Sequence, residues 1–218
     1  CPEYLYREPD HAFKERFKAA VLKKFQDNPL RAWRKLLDRD SSMRVAFKEF
    51  DNTCKELARR NFPVADSKTG VGGLFVAFDC YHSGWFSLRD WDEEAYIALL
   101  EFVKWARGKG GKVTDKIREM SGSSKGVVDW TAFKQGVKGS GLTNMQIPLL
   151  FDGLCPTKVS LTAADVTFLD RWDPTADEKE REAWYKFSRH REARQGSKRS
   201  EVAAAQATSD VLDCPTWP

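Results

Sequence analysis

Residues 38 to 49, "DRDSSMRVAFKE", set Asp38, Asp40 and Ser42 on alternate positions, follow them with the backbone carbonyl of Arg44, and close with Glu49. Oxygens at positions 1, 3, 5, 7 and 12 of a twelve-residue loop suit a hard divalent cation, which takes six to eight oxygen ligands. The number of carboxylates sets the affinity, and three of these residues supply one. Against the site, Met43 occupies the sixth position, where the chain must turn left-handed and glycine is the easy residue. Ala46 at the ninth offers no side-chain oxygen, and Arg44 brings a cation close by.

A second stretch repeats the layout. Residues 79 to 90, "DCYHSGWFSLRD", offer Asp79, Ser83, the carbonyl of Trp85, Ser87 and Asp90, with Gly84 at the turn. Tyr81 is a poor ligand at the third position. Asp90 is shorter than the glutamate a large ion needs at the twelfth, so this loop suits magnesium or no metal better than calcium.

No other chemistry stands out. His11, His82 and His190 are far apart, and no nucleophile elbow, zinc helix or phosphate loop occurs. "GKGGK" at 108 to 112 and "GVGG" at 70 to 73 lack the Lys-Ser/Thr that would follow a phosphate-binding turn, so these glycines read as turns. No catalytic residue is expected, and the chain is not read as an enzyme.

The elements that hold these loops are helices. Asn28 and Pro29 open one, with Leu30, Trp33, Leu36 and Leu37 on one face. Phe47, Phe50, Cys54 and Leu57 then recur at helical spacing. The same helix, loop, helix unit returns with helices over 70–78 and 88–106, over 112–120 and 130–137, and over 143–151 and 162–172. The loops start at residues 38, 79, 121 and 152. The third, with Ser121, Ser123, Lys125 and Ala132 at ligand positions, is lost as a metal site. The fourth keeps Asp152 alone, beside Leu154, Pro156 and Ala163. An apolar eighth residue persists in all four as Val45, Phe86, Val128 and Val159.

Four such units in two pairs resemble the EF-hand family in its calmodulin-type arrangement, over residues 29 to 173. The strings "RAWRKLLDRDSSMRV" and "VSLTAADVTFLDRWD" resemble the divergent EF-hand repeat proteins of dinoflagellate algae. The resemblance implies an all-α fold of two EF-hand-like lobes, 29–107 and 108–173, with helical N- and C-terminal extensions at 1–28 and 174–218. It implies that the eighth residues meet in short antiparallel contacts between paired loops. It also implies either no cofactor or calcium at Asp38–Glu49. The function expected is a non-catalytic protein-binding or structural subunit of a larger assembly that has lost most of its calcium binding. The alternatives are a calcium sensor acting through the first one or two loops, and an enzyme with an unrecognised site.

Composition narrows the partners. The 218 residues carry 36 basic and 32 acidic side chains, interspersed, for a net charge of +4. That balance points to other proteins rather than nucleic acid. No apolar run is long enough to span a membrane. The five cysteines, Cys1, Cys54, Cys80, Cys155 and Cys214, form no framework, as in a reducing intracellular compartment. Because the first residue is Cys, the chain reads as processed or partial.

Residues 10 to 26 form a basic amphipathic helix that by default packs on the first lobe; alternatively it binds a partner groove, with Phe13 and Phe17 as contacts, or lies on a membrane surface. The tail from Gly196 offers Val211, Leu212 and Trp217 as partner contacts. The pattern over 88–106 reads as one core helix of about five turns between the lobes.

Overall fold

Asp10 opens the first helix by accepting the backbone N–H of Phe13 at 2.9 Å, and this helix, α1, spans His11–Lys24. The computed structural model describes residues 3–62, 64, 69–108, 110–122, 126–155, 157 and 159–186. Asn28 caps α2, Pro29–Ala32, through the N–H of Arg31, with Pro29 at the first turn where its missing donor costs nothing. A π-helical turn, Trp33–Leu37, continues α2 and ends where Asp38 N–H reaches the Trp33 carbonyl.

The remaining elements follow in regular order: β1 (Arg44–Ala46), α3 (Phe47–Ala58), α4 (Gly70–Phe78), β2 (Trp85–Ser87), α5 (Leu88–Trp91) and α6 (Glu93–Arg107). Then come α7 (Val113–Ser121), β3 (Val127–Asp129), α8 (Trp130–Gly136), α9 (Gln146–Leu154), β4 (Ser160–Thr162), a 3-10 turn and α10 (Thr167–Arg171). The fold is mainly helical, with two small antiparallel sheets. β1 pairs with β2, setting Val45 against Phe86, and β3 pairs with β4, setting Val128 against Leu161.

Two expectations need correction. The helix expected over 88–106 is two helices, because Asp92 turns extended at φ −157° and its side chain caps α6 at Ala95 N–H. The same carboxylate pairs with Lys18 at 2.9 Å. The helix expected over 70–78 is α4, and the glycines of "GVGG" make its first turn. Their missing side chains let the N-terminal segment lie against the helix: a Cβ on Gly73 would stand 1.9 Å from Thr69 Oγ1 and 2.7 Å from the Glu8 carbonyl. Phe13 and Phe17, read as candidate partner contacts, are 2% and 1% exposed. They pack inward because Phe17 meets Phe50, Phe62 and Phe78 at 5.8, 6.0 and 6.4 Å.

The same arrangement of helix followed by loop pair occurs twice. α1 precedes the first pair and packs on α4, while α6 precedes the second pair and packs on α9. Aromatic rings fill both: Phe50, Phe75, Phe78 and Phe86 interlock in the first, Phe102, Phe133 and Phe151 in the second.

The two pairs are joined by α2 lying on α9. Asn28 Nδ2, Arg31 Nε and Arg34 Nη1 donate to the carbonyls of Leu149, Asp152 and Leu154 at 3.0, 2.9 and 3.2 Å. Two guanidinium groups at the carbonyl end of a helix are favoured by its dipole, which offsets part of the cost of their burial. Among the described residues, those up to Pro174 fall in one compact unit and those from Thr175 in another. The latter is helical over 175–186. Among the described residues no helix is long and apolar enough to cross a membrane. Val211, Leu212 and Trp217 lie outside the described residues.

Candidate functional site

The paired loops of the first half carry every proposed metal ligand, and each loop is built the same way. Asp38 ends the π-helical turn and is 1% exposed. Its carboxylate accepts the N–H groups of Ser42 at 2.9 Å and Met43 at 3.2 Å, and the Trp33 indole N–H at 3.1 Å. Asp79 ends α4 and accepts from the N–H groups of Ser83 at 2.9 Å and Gly84 at 2.7 Å. In both loops the serine hydroxyl donates onward to the carbonyl two residues later, Ser42 to Arg44 and Ser83 to Trp85, each at 2.7 Å.

The backbone matches as well. Ser41 and His82 are left-handed at the fourth position, with φ of 60° and 54°. At the sixth, Gly84 takes φ 90° freely, but Met43 takes φ 67° with a side chain. That strain costs about 1–2 kcal/mol. Burial of the Met43 side chain offsets it, because a buried thioether side chain contributes about 2 kcal/mol.

The acids at the twelfth position close the loops from the other side. Glu49 Oε2 accepts the N–H of Ala46 at 2.9 Å, and Asp90 Oδ2 accepts both the N–H and the hydroxyl of Ser87 at 2.9 Å. Each caps the helix that leaves its loop. Burial raises the Asp79 carboxyl above its ordinary range. Burial, helped by the neighbouring Asp40, pushes Asp38 up to about 7. Asp40 Oδ1 accepts the Ser42 N–H at 3.0 Å. The Arg44 guanidinium lies over the Trp85 ring at 4.1 Å.

The structure thus brings together Asp38, Asp40, Ser42 and the Arg44 carbonyl, and likewise Asp79, Ser83 and the Trp85 carbonyl. It turns Glu49, Asp90 and Ser87 to helix capping. Among the described residues no three acidic, histidine or cysteine side chains converge where they could hold a metal ion. Two carboxylates, a hydroxyl and a carbonyl make a thin donor set, and they do not fit tight calcium binding.

The fourth loop corrects the sequence register. Leu161, not Val159, occupies the eighth position: Leu161 is fully buried opposite Val128, whereas Val159 is 73% exposed. Counted from Leu161, the twelfth residue is Asp165, whose Oδ2 accepts the Thr162 N–H at 2.8 Å and hydroxyl at 2.6 Å. A loop counted from Asp152 leaves Asp165 outside its ligand positions, but Asp152 lies inside α9. The legible signal was the capping spacing itself, Thr162 to Asp165, matching Ser87 to Asp90. Counted back from Leu161, Leu154 holds the first position, and Cys155 ends α9 with its thiol donating to the Ser160 carbonyl at 2.9 Å. Compared with protein-family models, curated proteins and solved structures, the chain matches none.

Proposed function

We propose that this chain is a non-catalytic, EF-hand-like binding or structural subunit whose loops keep their shape by internal hydrogen bonding. The observation that supports this reading most is the use of Asp38 and Asp79. Each first-position acid is buried and engaged by the loop's own N–H groups at the fifth and sixth positions. A loop held in this way has its turn without an ion. What it adds to an assembly is then its outer surface, and its partners are other proteins.

A calcium-sensing role is the second reading, favoured by the oxygen group of Asp38, Asp40, Ser42 and the Arg44 carbonyl in the first loop. Calorimetric titration separates the two. The structural reading expects no heat of binding at millimolar calcium, and the same proteins recovered with the chain in the presence and absence of chelator. Binding heat at micromolar calcium, with a partner set that changes on chelation, would establish the sensor instead.

A further inference from the structure

Tyr4 roofs an aromatic platform on the first loop pair. It belongs to a 3-10 turn, Glu3–Tyr6, and stacks on Phe47 at 3.8 Å with the rings 13° from parallel. It meets Phe75 edge-on at 5.3 Å, and its hydroxyl lies 3.7 Å from where a Cβ on Gly84 would stand. Phe47 and Phe75 meet each other at 5.2 Å and 85°.

The second loop pair builds the same platform without the roof. Phe47 stands two residues after Val45 of the first ladder and opens α3, and Trp130 stands two after Val128 of the second and opens α8. Trp130 meets Phe151 of α9 at 5.4 Å and 67°, as Phe47 meets Phe75. Gly84 stands two residues before Phe86, and Val159 two before Leu161. Because Asp129 pairs with Ser160, Val159 comes across from Trp130 where the strands end. Trp130 is 39% exposed and Val159 73% exposed, and among the described residues no other ring lies on Trp130. The indole N–H groups of Trp33 and Trp91 are given to Asp38 and to the Pro29 carbonyl, whereas that of Trp130 reaches no acceptor among the described residues. Connectivity explains the difference. The segment ahead of α1 is free to lie on α4, but the residues ahead of α6 are β2 and α5, which belong to the first pair. The place in the sequence that supplies Tyr4 to the first platform therefore supplies no ring to the second.

We propose that the Trp130 platform docks a segment of a partner protein that presents a phenylalanine from a short turn, as the chain's own N-terminal turn presents Tyr4 to Phe47. The first half shows the chemistry such a platform takes, a flat ring stacked on the aromatic residue that opens the helix. Val159 in place of Gly84 puts methyl groups where the Tyr4 hydroxyl ends, and a hydroxyl buried against methyl groups is penalised, so the ring favoured here carries none. Pro148, three residues before Phe151, replaces Gly72, whose bare Cα lets the Tyr4 stem approach; the partner's backbone passes further out and its ring makes the contact. Trp130 adds a wide stacking face and an N–H for a partner's carbonyl, the combination that makes tryptophan frequent at interfaces. The inference rests on the reading of the chain as a binding subunit, but not on the state of its metal loops.

The test uses the full chain with nitrogen-labelled indoles and a synthetic peptide of residues 3–8 carrying Tyr4→Phe, titrated in the presence of chelator. The expected result is a saturable shift of the Trp130 indole N–H resonance at millimolar peptide. The same peptide carrying Tyr4→Ala is expected to bind at least about tenfold more weakly. Val159→Asp in the protein alters an exposed position and keeps the fold, and it is expected to weaken binding of the phenylalanine peptide by about tenfold. An unmoved Trp130 resonance, equal shifts with the phenylalanine and alanine peptides, or a Val159→Asp chain that binds as the parent does would each overturn the proposal. A partner set that changes with calcium would sink the structural reading of the loops and leave this titration unaffected.

Discussion

Asp10 and Asp92 occupy equivalent places in the two halves of the molecule. Each stands just before a helix and accepts the N–H of the residue three further on, Phe13 or Ala95, at 2.9 Å. Counted from these caps, Phe13, Phe17 and Val21 of α1 fall in register with Ala95, Leu99 and Val103 of α6, and all six are buried. The repeating unit is therefore a capped helix plus a loop pair. α6 is the first element of the second half, and α1 is its counterpart rather than an appendage.

Replacing Asp38 with alanine strips acceptors from the Trp33 indole N–H and from two loop N–H groups. Leaving buried donors unpaired costs about 1–3 kcal/mol each. The expected loss is about 3 kcal/mol in chemical denaturation, equal with and without calcium. A loss that appears only when calcium is present would place a bound ion, not the hydrogen bonds, at the centre of this loop.

The pH dependence of stability follows from the same residue. Burial lifts the Asp38 carboxyl from an ordinary 3.8 to about 7 in the folded chain. Between those values the folded state holds a proton that the unfolded state has lost, so stability is highest below about pH 4 for this group and falls as pH rises towards 7. The slope is at most about 1.4 kcal/mol per pH unit. Melting curves of the parent and of Asp38→Asn, compared from pH 4 to 7.5, should converge at neither end but differ in slope, the parent declining and the variant lacking this component.

The register of the fourth loop makes a paired forecast. Leu161→Asp buries an unpaired carboxylate opposite Val128 and should cost more than about 3 kcal/mol, melting the second half. Val159→Asp changes an exposed residue and should stay within about 0.5 kcal/mol of the parent. Circular dichroism on the two proteins checks both, and the reverse ranking would restore the register counted from Asp152.

Gly73→Ala reverses the usual gain from removing a helical glycine. Alanine in a helix interior is ordinarily favoured by about 1 kcal/mol. Here the added methyl meets Thr69 and the Glu8 carbonyl, so the N-terminal segment must shift. A net loss of about 1–3 kcal/mol is expected. Faster hydrogen exchange confined to residues 4–14 would identify that segment as the part displaced.

Local rules sufficed for much of this chain. The helix starts at Asn28–Pro29, the first-position acids Asp38 and Asp79, the strained sixth position at Met43 and the apolar residues Val45, Phe86 and Val128 were all legible, because caps, left-handed turns and short ladders depend on neighbours in sequence. Only the tertiary structure decided the rest. Whether Phe13 and Phe17 face a core or a partner depends on Phe50, Phe62 and Phe78, residues far along the chain. The start of the fourth loop was set by the pairing of Leu161 with Val128, and the use of Asp38 by an indole N–H and two amides converging on one carboxylate. An acid at a ligand position reads the same in sequence whether its oxygens face an ion or the chain's own N–H groups. The burial of Asp38 and the donors that the fold brings within 3.2 Å of it are properties of packing in three dimensions.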